Sequence, residues 1–492
     1  IVGAGAAGIA AAKTFLQFGY KDVTLLERSN ELGGVWNSSQ YAGASIQTVY
    51  WIYAYPDFPW PNDLISEEGG VSPGRAAVQE YLRRYGEKHG VVDRIRFVCE
   101  VKNAIRNDMD DSWAIYTVQY GVLTADILIM AIGNNDSSNP IIPQLPNREL
   151  YRGQILHSSQ IGDGTALRNA ERIIVVGGSK SAFDCGQLEP DKTTLIMRTP
   201  HYWFPIWAIC VPFYDRITNF ILRGYRVNRR ERSWVVRFMD EISVPLLFAV
   251  GTNKPKARSF LDDLMIGGGG NVCTTMSQYA NAKKWDLVKS SPVAYTSNGL
   301  ELENGEVVNA DVIVWGTGFN PTSFFQTMFP GVNLQDSLDD GLYLYKYIVH
   351  PSLPKCYFVG CRDISLSTLC NASLQSLWAV FCEAGIVKIP NSGEMRQSLD
   401  ERQRDTRIRF PYSHRRAYVD YVLRAPRCDS TYGLDLIQDC ELEDRLASFW
   451  CNPANMWTST SDFSAILGMP IRNVPRENFE PISNEKMPLA LV

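Results

Sequence analysis

The chain of 492 residues has only five histidines (His89, His157, His201, His350 and His414), and none is spaced as a metal ligand. It has no C-x-x-C pair: its eleven cysteines are scattered and odd in number. That excludes a dithiol redox centre and argues against both a disulfide framework and a cysteine-ligated metal, and it fits a reducing compartment. Long apolar runs are missing too. The strongest candidate for a membrane span, 203–222, is interrupted by Pro205, Pro212, Asp215 and Arg216. Neither sign of charge dominates. Lys+Arg 48 against Asp+Glu 53 leaves a net charge of -5, which argues against nucleic acid as the main partner. No signal peptide is visible, and a cytoplasmic location is expected. Redox chemistry in such a chain has to come from an organic cofactor.

Apolar residues make up 45% and charged residues 21%, the profile of a globular protein with an ample core. The length suggests roughly two to four domains. Ile1-Val2, a glycine-rich turn, an alanine-rich segment ending near Gly19, and the run 23–27 read as strand, turn, helix, strand. Residues 41–75 read as an ordered irregular loop, 76–88 as a helix, and three strand-like runs end at 127–130. A polar, Pro-rich connector over 134–147 is the first domain boundary. A second strand–turn–helix starts at 172–177, with its next strand at 194–197. Asn304-Gly305 sits in an expected hairpin over 299–308, and 311–315 is another buried strand. The two βαβ starts are the one internal repeat and imply an α/β fold.

The first turn is the most specific motif. Gly3 permits a tight turn, Gly5 lets a pyrophosphate approach the backbone, and Gly8 allows close helix–strand packing. The helix start at Ala6 and Ala7 offers N–H groups to phosphates. Glu27 closes the next strand, where a carboxylate accepts from ribose hydroxyls, with Arg28 beside it. Gly33, Gly34, Val35 and Trp36 follow directly: two glycines let a loop pass close over a flat cofactor, and the indole supplies packing surface.

This combination resembles the flavin-containing monooxygenases and their Baeyer–Villiger relatives, whose first dinucleotide unit binds FAD and continues into G-G-x-W. Tyr41-Ala42-Gly43-Ala44 is similar to the family's Y-P-G-A, and the segment 56–61 to its D-F-P-x-P. Phe97 to Val101 resembles the strand whose last residue contacts the adenine. The second turn, Gly177-Gly178-Ser179-Lys180-Ser181-Ala182, departs from the pattern by placing Ser179 at the middle glycine. The serine hydroxyl could itself reach a phosphate. Arg198-Thr199 ends the next strand, where an arginine suits the 2′-phosphate of NADP; a surface salt-bridge role is the alternative.

Between the units, Tyr151-x-Gly153-x-x-x-His157-Ser158-Ser159-x-Ile161 resembles the family fingerprint, with Ile161 where an aromatic is usual. His157 beside two serines could suggest nucleophilic catalysis, but no orienting acid or nucleophile elbow is present, so a structural or domain-coupling role is favoured. The turns at Ala131-Ile132-Gly133 and Gly316–Phe319 resemble the family's passages between domains. Gln375 and Trp378 resemble its closing segment against the flavin. Gln47 falls where relatives place Asn or Asp near the flavin C4a; it either supports the oxygen chemistry or merely packs in the loop.

The resemblance implies two Rossmann-like domains, with an NADP domain inserted into a discontinuous FAD domain. The expected divisions are 1–150 for the first FAD part, 151–310 for the NADP domain with an insertion at 203–290, and 311–430 for the second FAD part. A C-terminal extension covers 431–492. The implied function is an FAD- and NADPH-dependent monooxygenase. It would form a C4a-(hydro)peroxyflavin and transfer one oxygen atom from O₂ to a small organic substrate at an N, S or C centre. The alternatives are an NADPH-dependent flavin oxidase or dehydrogenase and a non-catalytic flavin-binding scaffold. The basic run from Arg223 to Arg232 reads as a solvated face in preference to a membrane contact.

Overall fold

The computed structural model describes residues 1–37, 41, 43–46, 50, 53–55, 57–65, 72–133, 140–198, 202–205, 270–273, 276–282, 284–319, 327–332, 334, 344–345, 348–361, 368–385 and 389–409. Gln47, Thr199, the basic run at 223–232 and the extension 431–492 lie outside them.

The first sheet is parallel and is assembled around Val2. Its order is Ile95–Arg96, Leu25–Leu26, Val2, Leu128–Met130 and Cys356–Phe358. The central strands read as continuous apolar runs because both faces are covered. Helix Ala6–Gln17 lies on this sheet and packs against helix Thr368–Glu383, so segments from before and after the second sheet close one core. An antiparallel meander, Val101–Asn107, Ser112–Thr117 and Gly121–Ala125, is attached to it.

The second sheet has five parallel strands in the order Asp286–Val288, Thr193–Ile196, Ile173–Val176, Val312–Trp315 and Gln154–His157. Every one of these strands lies between Met130 and Cys356 of the first sheet. The chain is therefore an α/β protein with one Rossmann-like sheet nested inside the sequence of another. The hairpin expected around Asn304-Gly305 forms, with Gly299–Leu302 paired to Val307–Asn309; Pro292–Thr296 adds a third strand to it.

Three expectations need correction. Val312–Trp315 pairs with both Ile173–Val176 and Gln154–His157, so the second unit runs past residue 310 and the division falls in the turn after Trp315. Asp286–Val288 is the third strand of the second sheet, so the insertion ends before residue 286. Phe97 to Val101 is not one strand: Val98 has φ 51°, which breaks the chain between the parallel pairing at 95–96 and the meander starting at Val101.

Among the described residues no helix is long and apolar enough to cross a membrane.

Candidate functional site: two nucleotide turns and their crossover

At the first turn, Gly3 donates its N–H to the Leu26 carbonyl at 2.9 Å, and Ala131 donates to the Val2 carbonyl at 2.9 Å. Gly3 has φ 101°, and a Cβ on Gly8 would lie 2.0 Å from the Gly3 carbonyl oxygen. Helix and turn can meet this closely only without a side chain at residue 8. Gly5 precedes helix Ala6–Gln17 and no side chain caps the helix, so its first N–H groups remain available for an anion. The Gly33–Gly34 turn is laid against the same place: Gly33 donates to the Ala4 carbonyl at 3.0 Å, and a Cβ on Gly34 would sit 3.1 Å from the Gly5 Cα.

Glu27 is buried at the end of its strand. Its Oε2 accepts from the Ala4 N–H at 2.8 Å, and its Oε1 accepts from the Ser29 N–H and hydroxyl at 2.9 and 2.8 Å. The carboxylate is thus oriented within the glycine turn, and its remaining lone pairs can accept from a ribose. Trp36 Nε1 donates to the Tyr53 hydroxyl at 2.9 Å, which fixes the indole after the Gly-Gly turn. Arg28 and Val35 are exposed beside it, while Ala131 is buried.

Gln375 bears on whether a flavin nucleotide fits. Its Oε1 accepts from the Gly360 N–H at 2.6 Å, which fixes the amide. Its Nε2 is buried and has no partner among the described residues. A buried amide donor left unmade costs about 1–3 kcal/mol. With the uncapped helix start, the close Gly5–Gly34 approach and the Glu27 carboxylate, the residues present fit an FAD.

The second turn repeats the two backbone bonds that tie the first to its neighbouring strands. Gly177 donates to the Ile196 carbonyl at 3.0 Å, and Gly316 donates to the Val176 carbonyl at 2.8 Å. Ser179 precedes helix Lys180–Leu188 in extended conformation and its side chain makes no cap bond, so again the first-turn donors are left for an anion. Ala182 is buried. The Lys180 ammonium is turned onto Asp184 and also donates to Ser45 Oγ at 3.3 Å. Ser181 bonds the Tyr41 hydroxyl. Arg198 is exposed just beyond the strand end. The register of the turn makes Met197, not Arg198, the counterpart of Glu27, a correspondence that spacing alone did not reveal.

His157 joins the two crossovers. Ser159 donates its N–H to Nδ1 at 3.2 Å, which leaves the proton on Nε2 to donate to the Gly318 carbonyl at 3.0 Å. The same carbonyl accepts from the Ile141 N–H at 2.9 Å. Burial lowers the imidazole's pKa, partly offset by the Gly318 carbonyl. A fully buried, neutral ring carrying both bonds is a structural pin, as favoured over nucleophilic catalysis. Gly133 lies at the start of one crossover, with φ 70°. Val101 is buried in the cluster that holds Trp113 and Phe358.

A contact missed by the motifs is Tyr41 with Asp184. The tyrosine hydroxyl donates to Asp184 Oδ2 at 3.0 Å across 143 positions of sequence. Burial raises the Asp184 pKa, against the opposing pull of Lys180. Burial, and then the Asp184 charge, push the Tyr41 hydroxyl well up. Local sequence carries no signal for such a contact.

The chain matches the family described as Flavin-binding monooxygenase-like over residues 1–196 and 286–428, and it belongs to that family. A Baeyer-Villiger monooxygenase of Streptomyces coelicolor is 26% identical over 65% of this chain and 64% of its own length, so the chain spans just under two thirds of that relative. A probable flavin-containing monooxygenase of Arabidopsis thaliana is 25% identical over 77% of this chain and 80% of its own. In fold, the chain is similar to the S-allyl-L-cysteine S-oxygenase of Allium sativum, with TM-score 0.60, 17% identity and coverage of 91% and 90%. It is also similar to a cyclohexanone monooxygenase of Rhodococcus bound to NADP+, with TM-score 0.58, 19% identity and coverage of 80% and 87%.

Proposed function

We propose that the chain is an FAD- and NADPH-dependent monooxygenase that transfers one atom of O₂ to a small organic substrate. The observation that carries this reading is the pair of nested nucleotide turns with different strand ends: a buried carboxylate, Glu27, in the first, and Met197 followed by exposed Arg198 in the second. When bound, NADPH supplies a hydride and FAD supplies the reduction of O₂.

The chain's own residues bind and orient. The N-terminus of helix Ala6–Gln17 takes the FAD pyrophosphate, Glu27 the adenosine ribose, and Gln375 Nε2 donates to the same nucleotide. In the second unit the start of helix Lys180–Leu188 takes the other pyrophosphate. Among the described residues the strand end carries Met197 in place of a carboxylate, and Arg198 pairs with a 2′-phosphate there. Trp36, held by Tyr53, shields the flavin side from water.

The proteins the chain is similar to include a cyclohexanone monooxygenase and an S-allyl-L-cysteine S-oxygenase, whose substrates are a ketone and a thioether. The substrate class proposed here is accordingly a small molecule with a soft N or S centre or a carbonyl carbon. Nucleic acid is not a partner in this reading, and peripheral membrane contact is the less favoured alternative to a solvated basic face.

The test is NADPH and O₂ consumption by purified, FAD-loaded chain, run with amines, thioethers and ketones in ¹⁸O₂. Substrate-stimulated consumption with one ¹⁸O in the product is the expected outcome. Consumption with stoichiometric hydrogen peroxide and unlabelled product would make the protein an oxidase. A flavin that never bleaches with NADPH would leave a binding scaffold.

A further inference from the structure

The loop residues 41 and 43–46 are clamped from two sides. On the side of the first unit the bonds are backbone: Arg75 donates its N–H to the Ala44 carbonyl at 2.9 Å, and Ile46 donates to the Pro73 carbonyl at 3.2 Å. On the side of the second unit they are polar side chains. Tyr41 donates to Asp184 Oδ2 at 3.0 Å, while Lys180 is bonded to Asp184 Oδ1 and donates to Ser45 Oγ at 3.3 Å. Asp184 is 2% exposed, and the Tyr41 ring lies in the apolar cluster of the second unit with Ala182, Phe183 and Ile161.

A buried carboxylate is a costly way to join two surfaces, and apolar side chains of similar volume would often do it with less desolvation. What charged, directional bonds add is register: the carboxylate has to meet both the lysine and the tyrosine at once. The lysine is the first residue of the helix whose N-terminus faces the second nucleotide, and the tyrosine opens the loop that follows the flavin-side Gly-Gly turn.

We propose that Asp184 and Tyr41 are positioning residues for hydride transfer, acting as a latch that fixes the flavin-side loop against the start of the second nucleotide helix. They touch neither nucleotide. They set the relative placement of the two turns that hold them. This inference rests on the two-nucleotide reading above.

The test is anaerobic stopped-flow reduction of the FAD-loaded full chain by NADPH, protiated or deuterated at the transferred position, in wild type, Tyr41→Phe and Asp184→Asn. NADP+ affinity is read separately by titrating the flavin spectrum, and stability by thermal unfolding. The limiting reduction rate should fall about 10- to 100-fold in Asp184→Asn and somewhat less in Tyr41→Phe, since a misplacement on the order of 1 Å costs that much. NADP+ affinity should hold within about threefold, because the latch is not part of the binding surface. The isotope effect should become more temperature-dependent as the donor–acceptor distance loosens.

Tyr41→Phe keeps the ring in its cluster, so it still tests the latch if Asp184→Asn lowers stability. Variants reduced at the wild-type limiting rate, or slowed only through weaker NADP+ binding, would overturn the inference and leave the two-nucleotide reading standing. A wild type that NADPH does not reduce would overturn both.

Discussion

Glu27 and Met197 occupy the same position in the two nucleotide-binding units. Each follows the residue whose carbonyl receives the first glycine's N–H, and each donates its own N–H to the next strand over, at 3.0 Å to Arg96 and 3.1 Å to Val288. The backbone is shared and the side chains are not. In the first unit the position carries a buried carboxylate bonded to Ala4; in the second it carries an apolar side chain next to an exposed arginine. A second exchange accompanies the first. The helix residue and the crossing-strand residue that meet are Gly8 and Ala131 in one unit, Ala182 and Gly316 in the other. A Cβ on Gly316 would lie 2.7 Å from that of Ala182. In the first unit it is the Gly3 carbonyl oxygen that leaves no room for a Cβ on residue 8, with the Ala131 Cβ at an ordinary 3.5 Å, whereas in the second the Ala182 methyl itself fills the space a Cβ on Gly316 would need.

The largest effect expected is from filling the tighter junction. Gly8→Ala puts a methyl 2.0 Å from a backbone oxygen that has no rotamer to retreat into. A loss of about 3 kcal/mol or more, with FAD content falling towards zero, is the expected outcome. Flavin absorbance per chain and thermal unfolding measure it. The reciprocal change, Ala182→Gly, removes the methyl and should cost about 1 kcal/mol as a helix glycine. If Gly8→Ala kept its FAD and its stability, the close approach of the helix to the Gly3 carbonyl would not be what residue 8 secures.

A smaller effect tests the strand ends. Arg198→Ala should lower the preference for NADPH over NADH by about 10- to 100-fold, the worth of one or two charge-assisted bonds to a phosphate. NADH use itself should stay nearly unchanged. The ratio of flavin-reduction rates at low concentrations of each nucleotide is the measurement. An unchanged ratio would return Arg198 to the surface salt-bridge role and place the discrimination elsewhere.

How much of this was open to inspection in the sequence follows from the range of each interaction. The glycine turns are local, so Gly3, Gly5, Gly8 and Gly177 could be read directly, and the structure places Gly3, Gly5 and Gly177 at strand–helix turns and Gly8 in the first turn of its helix. The equivalence of Met197 with Glu27 is not local: it depends on which carbonyl accepts from Gly177, a choice made by the whole sheet. Val312–Trp315 is four apolar residues in a row, and such a run cannot say which of two parallel sheets receives it. The break at Val98 is a single left-handed residue with no glycine or asparagine to announce it. Tyr41 with Asp184 is the extreme case, since neither residue's neighbours mention the other.

A last effect, confined to acid pH, concerns the ion pairs made by the lysines of the two nucleotide helices. Both helices bear a buried Lys–Asp pair: Lys13 with Asp57 at 2.5 Å in the first unit and Lys180 with Asp184 in the second. The first has a histidine beside it, with His89 Nε2 3.8 Å from Asp57, where the second has Tyr41. Burial pulls the His89 pKa down to about 4, outweighing the Asp57 charge that raises it. Burial raises the Asp57 pKa, but Lys13 and then His89 bring it below its ordinary value. Asp57 therefore stays ionised while His89 remains neutral in the fold above about pH 4. The unfolded chain binds a proton at this histidine from about pH 6.5 downward, so stability falls as pH drops from there towards 4. Discounted for a side chain that is 23% exposed, the loss is about 2 kcal/mol at the lower end. His350 is also lowered to about 4 by burial, so the slope alone does not identify the residue. The readout is the difference between wild type and His89→Gln in urea unfolding at several pH values. The variant should lose that share of the acid sensitivity, whereas Tyr41→Phe in the second unit should leave it intact. Parallel curves for wild type and His89→Gln would remove the histidine as the source of the difference between the two pairs.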